Sequence, residues 1–227
     1  MGTNIEMTAA SLSPRPGTRP VKRVVWLGLL VIVSALVAGF AVWPLSPTNL
    51  GKGREFLEAK LYERWSAGEV VVLVRHAERC DRSSGACLGP ADGITSAGRD
   101  VAASVGAAFM TLGMENANVM ASPLTRTAQT AQAMFHQAAQ EQDWLVNCDV
   151  DMARDIKAHK VAGQNLVLVT HSGCLTRLES DLGFPHAKDP EYTSSLFATV
   201  GSNGKLKVLG VINPQDWALV TSRKSDL

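Results

Sequence analysis

An arginine and a histidine stand side by side at the end of a strongly apolar run. Residues 70–74 are Val-Val-Val-Leu-Val, and Arg75 and His76 follow directly. Such a run, rich in β-branched residues, is typical of a strand buried on both faces of a parallel sheet. Open α/β sheets bind their ligands at the carboxyl ends of their strands. A fixed cation beside a titratable nucleophile therefore predicts a site for an anion, most plausibly a phosphate.

Two further segments contain residues of the same kind. Residues 166–171, Leu-Val-Leu-Val-Thr-His, form a second apolar run that ends in a histidine. A helix is predicted to start with Ser122 as its N-cap, Pro123 at its first position and Arg126 in its first turns. Amide groups at a helix start favour anions, and an arginine there adds a charged fork.

The elements that must position these residues alternate along the chain. The predicted strands are 70–75, 117–121, 144–148, 165–170, 194–200 and 206–212. The predicted helices are about 96–112, 123–138, 151–160 and 173–182, with a further short helix within 54–66. This order predicts a three-layer α/β/α sandwich with a mostly parallel sheet. The last two strands flank a Gly-Ser-Asn-Gly turn and predict an antiparallel hairpin at one edge.

Four motifs, in order and spacing, resemble the histidine phosphatase superfamily. They are Arg75-His76-Ala77-Glu78, Thr95-Ser96-Ala97-Gly98, Ser122-Pro123-Leu124-Thr125-Arg126-Thr127 and Thr170-His171. The resemblance implies a phosphoglycerate mutase-like fold and a phosphatase in which His76 is the nucleophile that accepts the phosphoryl group. It also implies a phosphate pocket formed by Arg75, Arg126 and His171, with no metal or other cofactor required.

A longer match resembles one branch of that superfamily, the lipopolysaccharide core heptose(II)-phosphate phosphatases. The matching residues are Arg75 to Ser83 with Cys87-Leu88, Asp92 to Thr95, and Thr170-His171 with Cys174-Leu175-Thr176. The branch implies a periplasmic phosphatase acting on a phosphorylated glycolipid. Arg79 and Arg82 follow the proposed nucleophile closely, so they are expected either to extend a surface for an anionic substrate, with Arg79 as a substrate-binding residue, or to be solvated loop charges. A phosphatase of another periplasmic phosphoester, or a non-catalytic phosphate-binding sensor or scaffold, is the alternative.

The leaving group of a phosphomonoester needs a proton, normally from a carboxylic acid. Asp149 and Asp151 follow the predicted strand 144–148, so they are expected at the same sheet edge as the other motifs. Comparison with the branch favours Asp151, where a glutamate is expected. Asp149 and Glu78, which stands two residues after the nucleophile, are the alternatives.

An uncharged stretch of 20 residues, 24–43, precedes these motifs. At about 1.5 Å per residue it is long enough to span roughly 30 Å of hydrocarbon. Four basic residues stand before it, Arg15, Arg19, Lys22 and Arg23, against one acid. Positive flanks stay in the cytoplasm, which predicts a single-pass inner-membrane protein with its N-terminus inside and its catalytic domain in the periplasm. A signal peptide that is cleaved, releasing the domain to the periplasm, is the rival interpretation, and a buried core helix is another.

This interpretation divides the chain into four parts. They are a disordered cytoplasmic tail, 1–23, a transmembrane signal anchor, 24–43, a linker with a short helix, 44–66, and the phosphatase domain, 67–227. Because the net charge is only +1 and the excess of basic residues precedes the anchor, no basic field remains beyond it for nucleic acid. We therefore exclude a nucleic-acid-binding function.

All four cysteines follow the anchor, on the side where disulfides form. Four cysteines allow three pairings. The favoured one joins Cys80 to Cys87, closing a short loop after the first strand, and Cys148 to Cys174, across two neighbouring strands. Four reduced thiols are the alternative. A zinc site using Cys80, Cys87 and His76 is disfavoured because the paired spacing of common zinc folds is absent.

Overall fold

The computed structural model describes residues 19–41, 46–148, 151–201 and 203–224. The chain falls into two compact units that divide between Trp43 and Pro44. The first contains a single described helix, α1 (Arg19–Ala41). Within it, Val21–Phe40 has a mean hydropathy of 2.2 and exposed side chains, so by length and composition it can cross a membrane.

The second unit is an α/β fold. Its described strands are β1 (Val70–Arg75), β2 (Ala117–Ala121), β3 (Gln140–Glu141), β4 (Asn165–Thr170), β5 (Ser195–Val200) and β6 (Leu206–Ile212). Its described helices are α2 (Glu55–Glu58), α3 (Leu61–Ser66), α4 (Ser96–Leu112), α5 (Thr125–Phe135), α6 (Met152–His159), α7 (Ser172–Asp181) and α8 (Trp217–Lys224).

The six strands form one sheet in the order β3-β2-β4-β1-β5-β6. The pairs from β3 to β1 are parallel, whereas β5 and β6 are antiparallel and form the predicted edge hairpin. Arg75 pairs with Thr170 in the β1–β4 register, and Ala121 pairs with Val169 beside it. The chain segments that carry both histidines and Arg126 therefore leave the sheet at one edge, as predicted for parallel strands.

Apolar side chains pack against both faces of the sheet. Along β1, Val70, Val72 and Val74 join one core cluster, and Val71 and Leu73 join the other. This alternation is the period-two pattern of a strand, and it explains why β1 has no polar side chain before Arg75. Residues of α4, α5 and α8 complete the first cluster and residues of α6 and α7 the second, which gives the predicted three layers.

The predicted strand at 144–148 is wrong. Residues 143–145 form a 3₁₀ turn, and the strand in this region is the two-residue β3, which pairs with the end of β2. Leu145 is fully buried in the second core cluster from this turn. A short apolar run of this kind can fill a core from a strand or from a turn, and its periodicity does not distinguish the two.

The predicted start of α5 is also wrong. The helix begins at Thr125, with Leu124 in an extended conformation at the N-cap and no side-chain capping bond. Ser122 and Pro123 precede it, and the Thr127 hydroxyl donates to the Ser122 carbonyl at 2.7 Å. Arg126 nevertheless lies in the first turn of the helix, as predicted. The Ser122 hydroxyl makes a different contact, described below.

Both favoured disulfides are present. Cys80 is joined to Cys87 and Cys148 to Cys174, with Cα atoms 5.5 and 5.0 Å apart. Cys148 reaches its partner from the turn after residues 143–145 and not from the end of a strand. The predicted helix within 54–66 is two short helices, α2 and α3, which are separated by Lys60 in the left-handed conformation.

Candidate active site

His76 lies directly after β1 and is only 3% exposed. Its Nδ1 atom lies 2.8 Å from the carbonyl oxygen of Ala77. Because a carbonyl can only accept a hydrogen bond, Nδ1 carries the proton and donates it. The lone pair of the neutral ring is therefore on Nε2, the nitrogen that can attack phosphorus.

The surroundings of His76 keep the imidazole neutral. Burial lowers the pKa of His76 to about 3, and the hydrogen bond to Ala77 opposes this only in part. The nearby positive charges of Arg126 and Arg75 lower the pKa further. At neutral pH the ring is thus unprotonated on Nε2 and available as a nucleophile.

His171 lies directly after β4, beside His76. The two ring centroids are 5.4 Å apart. Nε2 of His171 is 3.0 Å from the hydroxyl oxygen of Ser122, a fully buried side chain. Burial lowers the pKa of His171 to about 4, and the charges of Arg126 and Arg79 add to this. The serine that the sequence suggested as a helix cap therefore orients the second histidine instead.

A segment before β5 holds Arg75. The guanidinium carbon lies 4.0 Å from the centre of the Tyr192 ring, and Nη1 donates to the carbonyl of Pro190. The Tyr192 ring is also 5.7 Å from that of His76. A cation over an aromatic face is attracted by the ring quadrupole, so Tyr192 fixes the plane of this arginine. No local sequence signal pointed to Tyr192, because the contact joins distant parts of the chain.

Thr193 anchors this segment in an unusual backbone conformation. Its φ is +60°, a left-handed value that is costly for a β-branched residue, roughly 1–3 kcal/mol. The backbone N–H of Thr193 donates to the carbonyl of Arg75 at 3.1 Å. The strained residue thereby joins the segment that carries Tyr192 to the end of β1.

Arg126 and Arg79 bring further positive charge to the two histidines. Burial lowers the pKa of Arg126, and the charge of Arg79 lowers it further. Arg79 in turn makes a two-pronged ion pair with Asp81, with Nε 2.7 Å from Oδ1. That pair holds the pKa of Asp81 below its usual range, so this carboxylate is ionised and a poor proton donor.

Three buried nitrogen atoms of this group have no hydrogen-bond partner among the described residues. They are Nε of Arg75, Nε of Arg126 and Nδ1 of His171. Buried polar atoms are almost always paired, so three unpaired nitrogen atoms on the side chains that act electrostatically on His76 indicate a ligand with several acceptor atoms. Two guanidinium groups and an imidazole around a neutral nucleophile suit a phosphate group.

The candidate proton donors lie apart from this pocket in the hydrogen-bond network. Asp151 is exposed and caps α6, where its Oδ1 accepts the backbone N–H of Arg154 at 3.0 Å. Glu78 is partly buried, and its Oε2 accepts the Thr95 hydroxyl at 2.7 Å. Asp149 lies outside the described residues. Within the described chain, no group of three or more His, Cys, Asp or Glu side chains is arranged to hold a metal ion.

Comparison with protein families gives a match to a known superfamily. Residues 71–149 match the family model of the histidine phosphatase superfamily, branch 1. The matched region contains His76, both arginines of the pocket and Arg79.

Curated relatives match a longer part of the chain. The lipopolysaccharide core heptose(II)-phosphate phosphatases of Salmonella typhi and Salmonella typhimurium are each 32% identical to this chain over 192 residues. The match covers 82% of this chain and 90% of each relative. It therefore includes most of the second unit as well as the motif region.

Solved structures show the same fold. A phosphoglycerate mutase from Bacillus anthracis superposes with a TM-score of 0.51 at 16% identity and covers 68% of this chain and 98% of its own. The protein histidine phosphatase SixA, solved in complex with tungstate, gives a TM-score of 0.52 at 16% identity, over 65% of this chain and 98% of its own. The mixed α/β fold with helices on both faces of the sheet is thus the phosphoglycerate mutase-like fold.

Proposed function

This chain belongs to the histidine phosphatase superfamily and is a phosphoric monoester hydrolase, and on that premise we propose that it removes phosphate from inner-core heptose of lipopolysaccharide. Relatives at 32% identity are named for that reaction. The observation that supports the chemistry most directly is the set of three unpaired buried nitrogen atoms around His76, on Arg75, Arg126 and His171.

The proposed reaction has two steps. Nε2 of His76 attacks the phosphorus atom, the bond from phosphorus to the sugar oxygen breaks, and the leaving alkoxide takes a proton from a carboxylic acid. A water molecule then attacks the phosphohistidine, returns a proton to the carboxylate and releases inorganic phosphate. Arg75 and Arg126 neutralise the charge that spreads over the phosphoryl oxygens in both steps, and the neutral ring of His171 can donate a hydrogen bond to one of them.

We keep Asp151 as the proposed proton donor, with Glu78 and Asp149 as the alternatives. Asp151 uses Oδ1 to cap α6, and Glu78 uses Oε2 to bind Thr95. Replacing each by its amide and comparing phosphate esters of good and poor leaving groups identifies the donor. Asp151→Asn should slow the ester with the poor leaving group by about a hundredfold, within the range of acid catalysis. An unchanged rate, with a loss in Glu78→Gln, would transfer the role to Glu78.

We also propose that α1 anchors the enzyme in the inner membrane, with the second unit in the periplasm. Val21–Phe40 has the length and hydropathy of a membrane span, and basic residues precede it. Both disulfides lie in the second unit, which fits an oxidising compartment. The anchor would hold the enzyme close to a membrane-borne substrate.

The test uses the full-length protein in detergent with an aryl phosphate and with purified lipopolysaccharide core. Release of inorganic phosphate is measured for the wild type, for His76→Ala and for His186→Ala, a matched control at an exposed histidine outside the pocket. We expect His76→Ala to lose at least a thousandfold in rate on both substrates and His186→Ala to keep its rate. A covalent phosphohistidine should be trapped in the wild type only.

The alternatives have distinct outcomes in the same experiment. Turnover of the aryl phosphate without turnover of lipopolysaccharide would leave the phosphatase in place and reject the substrate. Phosphate binding without turnover of either substrate would favour a non-catalytic sensor. Equal activity in the wild type and in His76→Ala would exclude the phosphohistidine mechanism.

A further inference from the structure

A cleft of about 560 Å³ opens beside the phosphate pocket, on the side of α7. We call it the Arg82 cleft, and its lining includes Arg75, Arg82, Ser172, Thr176, Arg177 and Asp189. Its volume is in the range of small-molecule sites. Because Arg75 belongs both to the cleft and to the phosphate pocket, a ligand in one can extend directly into the other.

Arg82 brings a positive charge that the proposed reaction does not use. Its side chain makes no hydrogen bond or ion pair within the described part of the chain, whereas its neighbour Arg79 is paired with Asp81. Burial lowers the pKa values of Arg75 and Arg126, and the charge of Arg82 lowers both further. Arg82 is therefore close enough to the pocket to interact with both of its arginines.

The backbone that carries Arg82 is held in place by several bonds. The residue ends a 3₁₀ turn, 80–82, whose first residue is joined by a disulfide to Cys87. The backbone N–H of Cys80 donates to Gly93 at 3.0 Å, and Cys87 forms a bridge with Thr95. A guanidinium on a fixed backbone loses less conformational freedom when it binds a ligand than one on a mobile loop.

Helix α7 also brings donors for an anion to the lining of the cleft. Arg177 lies on α7 and pairs through Nε with Asp181 at 2.9 Å, and both side chains are about half exposed. An exposed pair of this kind contributes little free energy, so a ligand can compete for this guanidinium. Ser172 and Thr176 line the cleft from the same helix, which starts directly after His171. In contrast, Asp189 is the carboxylate of the lining, and it faces Arg75.

We infer that the Arg82 cleft is a second anion subsite, which binds a phosphate or carboxylate group that the substrate carries in addition to the phosphate that is hydrolysed. The inference rests on the proposed function and narrows its substrate class to phosphomonoesters with a second negative charge. Arg82 and Arg177 would bind that group, while Arg75 lies between the two anions.

The experiment measures binding, so it does not depend on turnover. Calorimetry on the full-length chain carrying His76→Ala gives Kd values for glucose 6-phosphate, glucose 1,6-bisphosphate and 6-phosphogluconate. We expect the two sugars with a second anionic group to bind at least tenfold more tightly than glucose 6-phosphate. A gain for only one of them would identify the second group as phosphate or as carboxylate.

Adding Arg82→Gln should remove the tighter binding of the two sugars with a second anionic group. The Kd of glucose 6-phosphate should stay within twofold of its value in the protein with His76→Ala alone. The matched control is Arg99→Gln, which removes an exposed arginine whose side chain pairs with its neighbour Asp100 on α4. This variant should still bind the two sugars with a second anionic group at least tenfold more tightly than glucose 6-phosphate.

Equal Kd values for all three sugars would overturn the inference. A uniform loss of affinity for all three in Arg82→Gln would also overturn it, because Arg82 would then serve the phosphate pocket itself. Turnover of aryl phosphate by the wild type is recorded in parallel. If the wild type does not turn over aryl phosphate but the tenfold preference for sugars with a second anionic group is intact, the proposed function is rejected and the subsite stands.

Discussion

His76 has its proton on Nδ1 because the carbonyl of Ala77 can only accept a hydrogen bond. Burial makes protonation of the second nitrogen costly, and the arginines of the pocket add to that cost. A single backbone carbonyl and a low-dielectric environment therefore leave Nε2 of His76 unprotonated, as the proposed phosphohistidine mechanism requires. No carboxylate partner is needed to orient it.

The first prediction concerns the protonation of this ring. In the free, full-length enzyme, ¹⁵N NMR of labelled histidine should show His76 neutral and protonated on Nδ1 from pH 8 down to pH 5. An unperturbed imidazole would titrate near pH 6.5. Since the pKa of His76 falls to about 3 and that of His171 to about 4, the unfolded chain binds more protons than the folded protein below about pH 6.5.

These two groups should therefore lower the free energy of unfolding as the pH falls from about 6.5 towards 4. Titration of His76 above pH 6 would show that burial and the arginine charges do not control this ring. The mechanism would then require a different route to a neutral nucleophile.

Ser122 is a positioning residue for His171. Its hydroxyl is fully buried and lies 3.0 Å from Nε2 of that ring. We predict that Ser122→Ala lowers kcat for an aryl phosphate about tenfold with little change in KM, which corresponds to about 1.4 kcal/mol, the size of one hydrogen bond. Steady-state kinetics of both single variants and of the double variant with His171→Ala test this.

If Ser122 acts through the histidine, the double variant should be no slower than His171→Ala alone. Additive losses would mean that the hydroxyl contributes by another route, such as direct contact with the substrate. An unchanged kcat in Ser122→Ala would exclude the positioning role.

At the scale of elements, the pairing of β1 with β4 is what assembles the site. Arg75 and Thr170 are register partners, so His76 and His171 leave the sheet next to each other. Helix α7 then starts directly after the second histidine, which is its N-cap, and carries the buried Glu179. A group of the pocket and a buried acid are thus joined by one helix.

Glu179 is 2% exposed, and its Oε2 has no hydrogen-bond partner within the described chain. Burial raises the pKa of Glu179 to about 7 from 4.5. The folded protein therefore binds one more proton than the unfolded chain between these values, and the free energy of unfolding should fall as the pH rises through this window. One pKa unit corresponds to about 1.4 kcal/mol, so the free energy of unfolding should fall by about 2 to 3 kcal/mol between pH 5 and pH 8.

We predict that Glu179→Gln removes this loss, because an amide has no charge to bury at high pH. Urea denaturation of the full-length protein at pH 5 and pH 8 gives the free energy of unfolding. The difference between the variant and the wild type is compared at the two pH values. The matched control, Glu58→Gln, changes an exposed acid on α2 and should leave the pH dependence unchanged. A wild type and Glu179→Gln with the same pH dependence would contradict the assignment.

For the whole molecule, one apolar helix and one α/β unit with two disulfides are combined in a single chain. An exposed apolar helix is unfavourable in water, whereas disulfides persist only in an oxidising environment. Both requirements are met if α1 lies in the inner membrane and the second unit lies outside the cytoplasm.

We therefore predict that the chain remains uncleaved and that its second unit faces the periplasm. When it is expressed in a Gram-negative host, mass spectrometry of the membrane fraction should find the intact N-terminus. Protease added to spheroplasts should digest the second unit. Residues 1–23 should be digested only after the inner membrane has been disrupted. A mature protein that begins after residue 41 would support cleavage, and protection of the second unit in spheroplasts would reverse the orientation.

The sequence alone determined the features of this protein that depend on short stretches of neighbouring residues. The apolar runs ending in Arg75-His76 and in His171 predicted two central parallel strands, since uninterrupted β-branched residues suit a strand covered on both faces. Helix-start residues identified Arg126 near the start of α5, and the uncharged stretch identified the apolar helix. Both favoured disulfide pairs are present, although the pairing of Cys148 with Cys174 was argued from the strand at 144–148 that does not form. The role of Asp151 stays a prediction, because its position after a strand was inferred from a strand that does not form.

Tertiary structure decided the contacts that join distant segments. Ser122 bonds to His171, Tyr192 lies over Arg75, and Arg82 lies beside α7 only because the sheet and its loops bring these residues together. Periodicity describes which face of an element is buried, but it does not encode which side chain from another part of the chain lies opposite. The proposed nucleophile could therefore be located from the sequence, whereas the groups that surround it and the proposed second anion subsite required the fold.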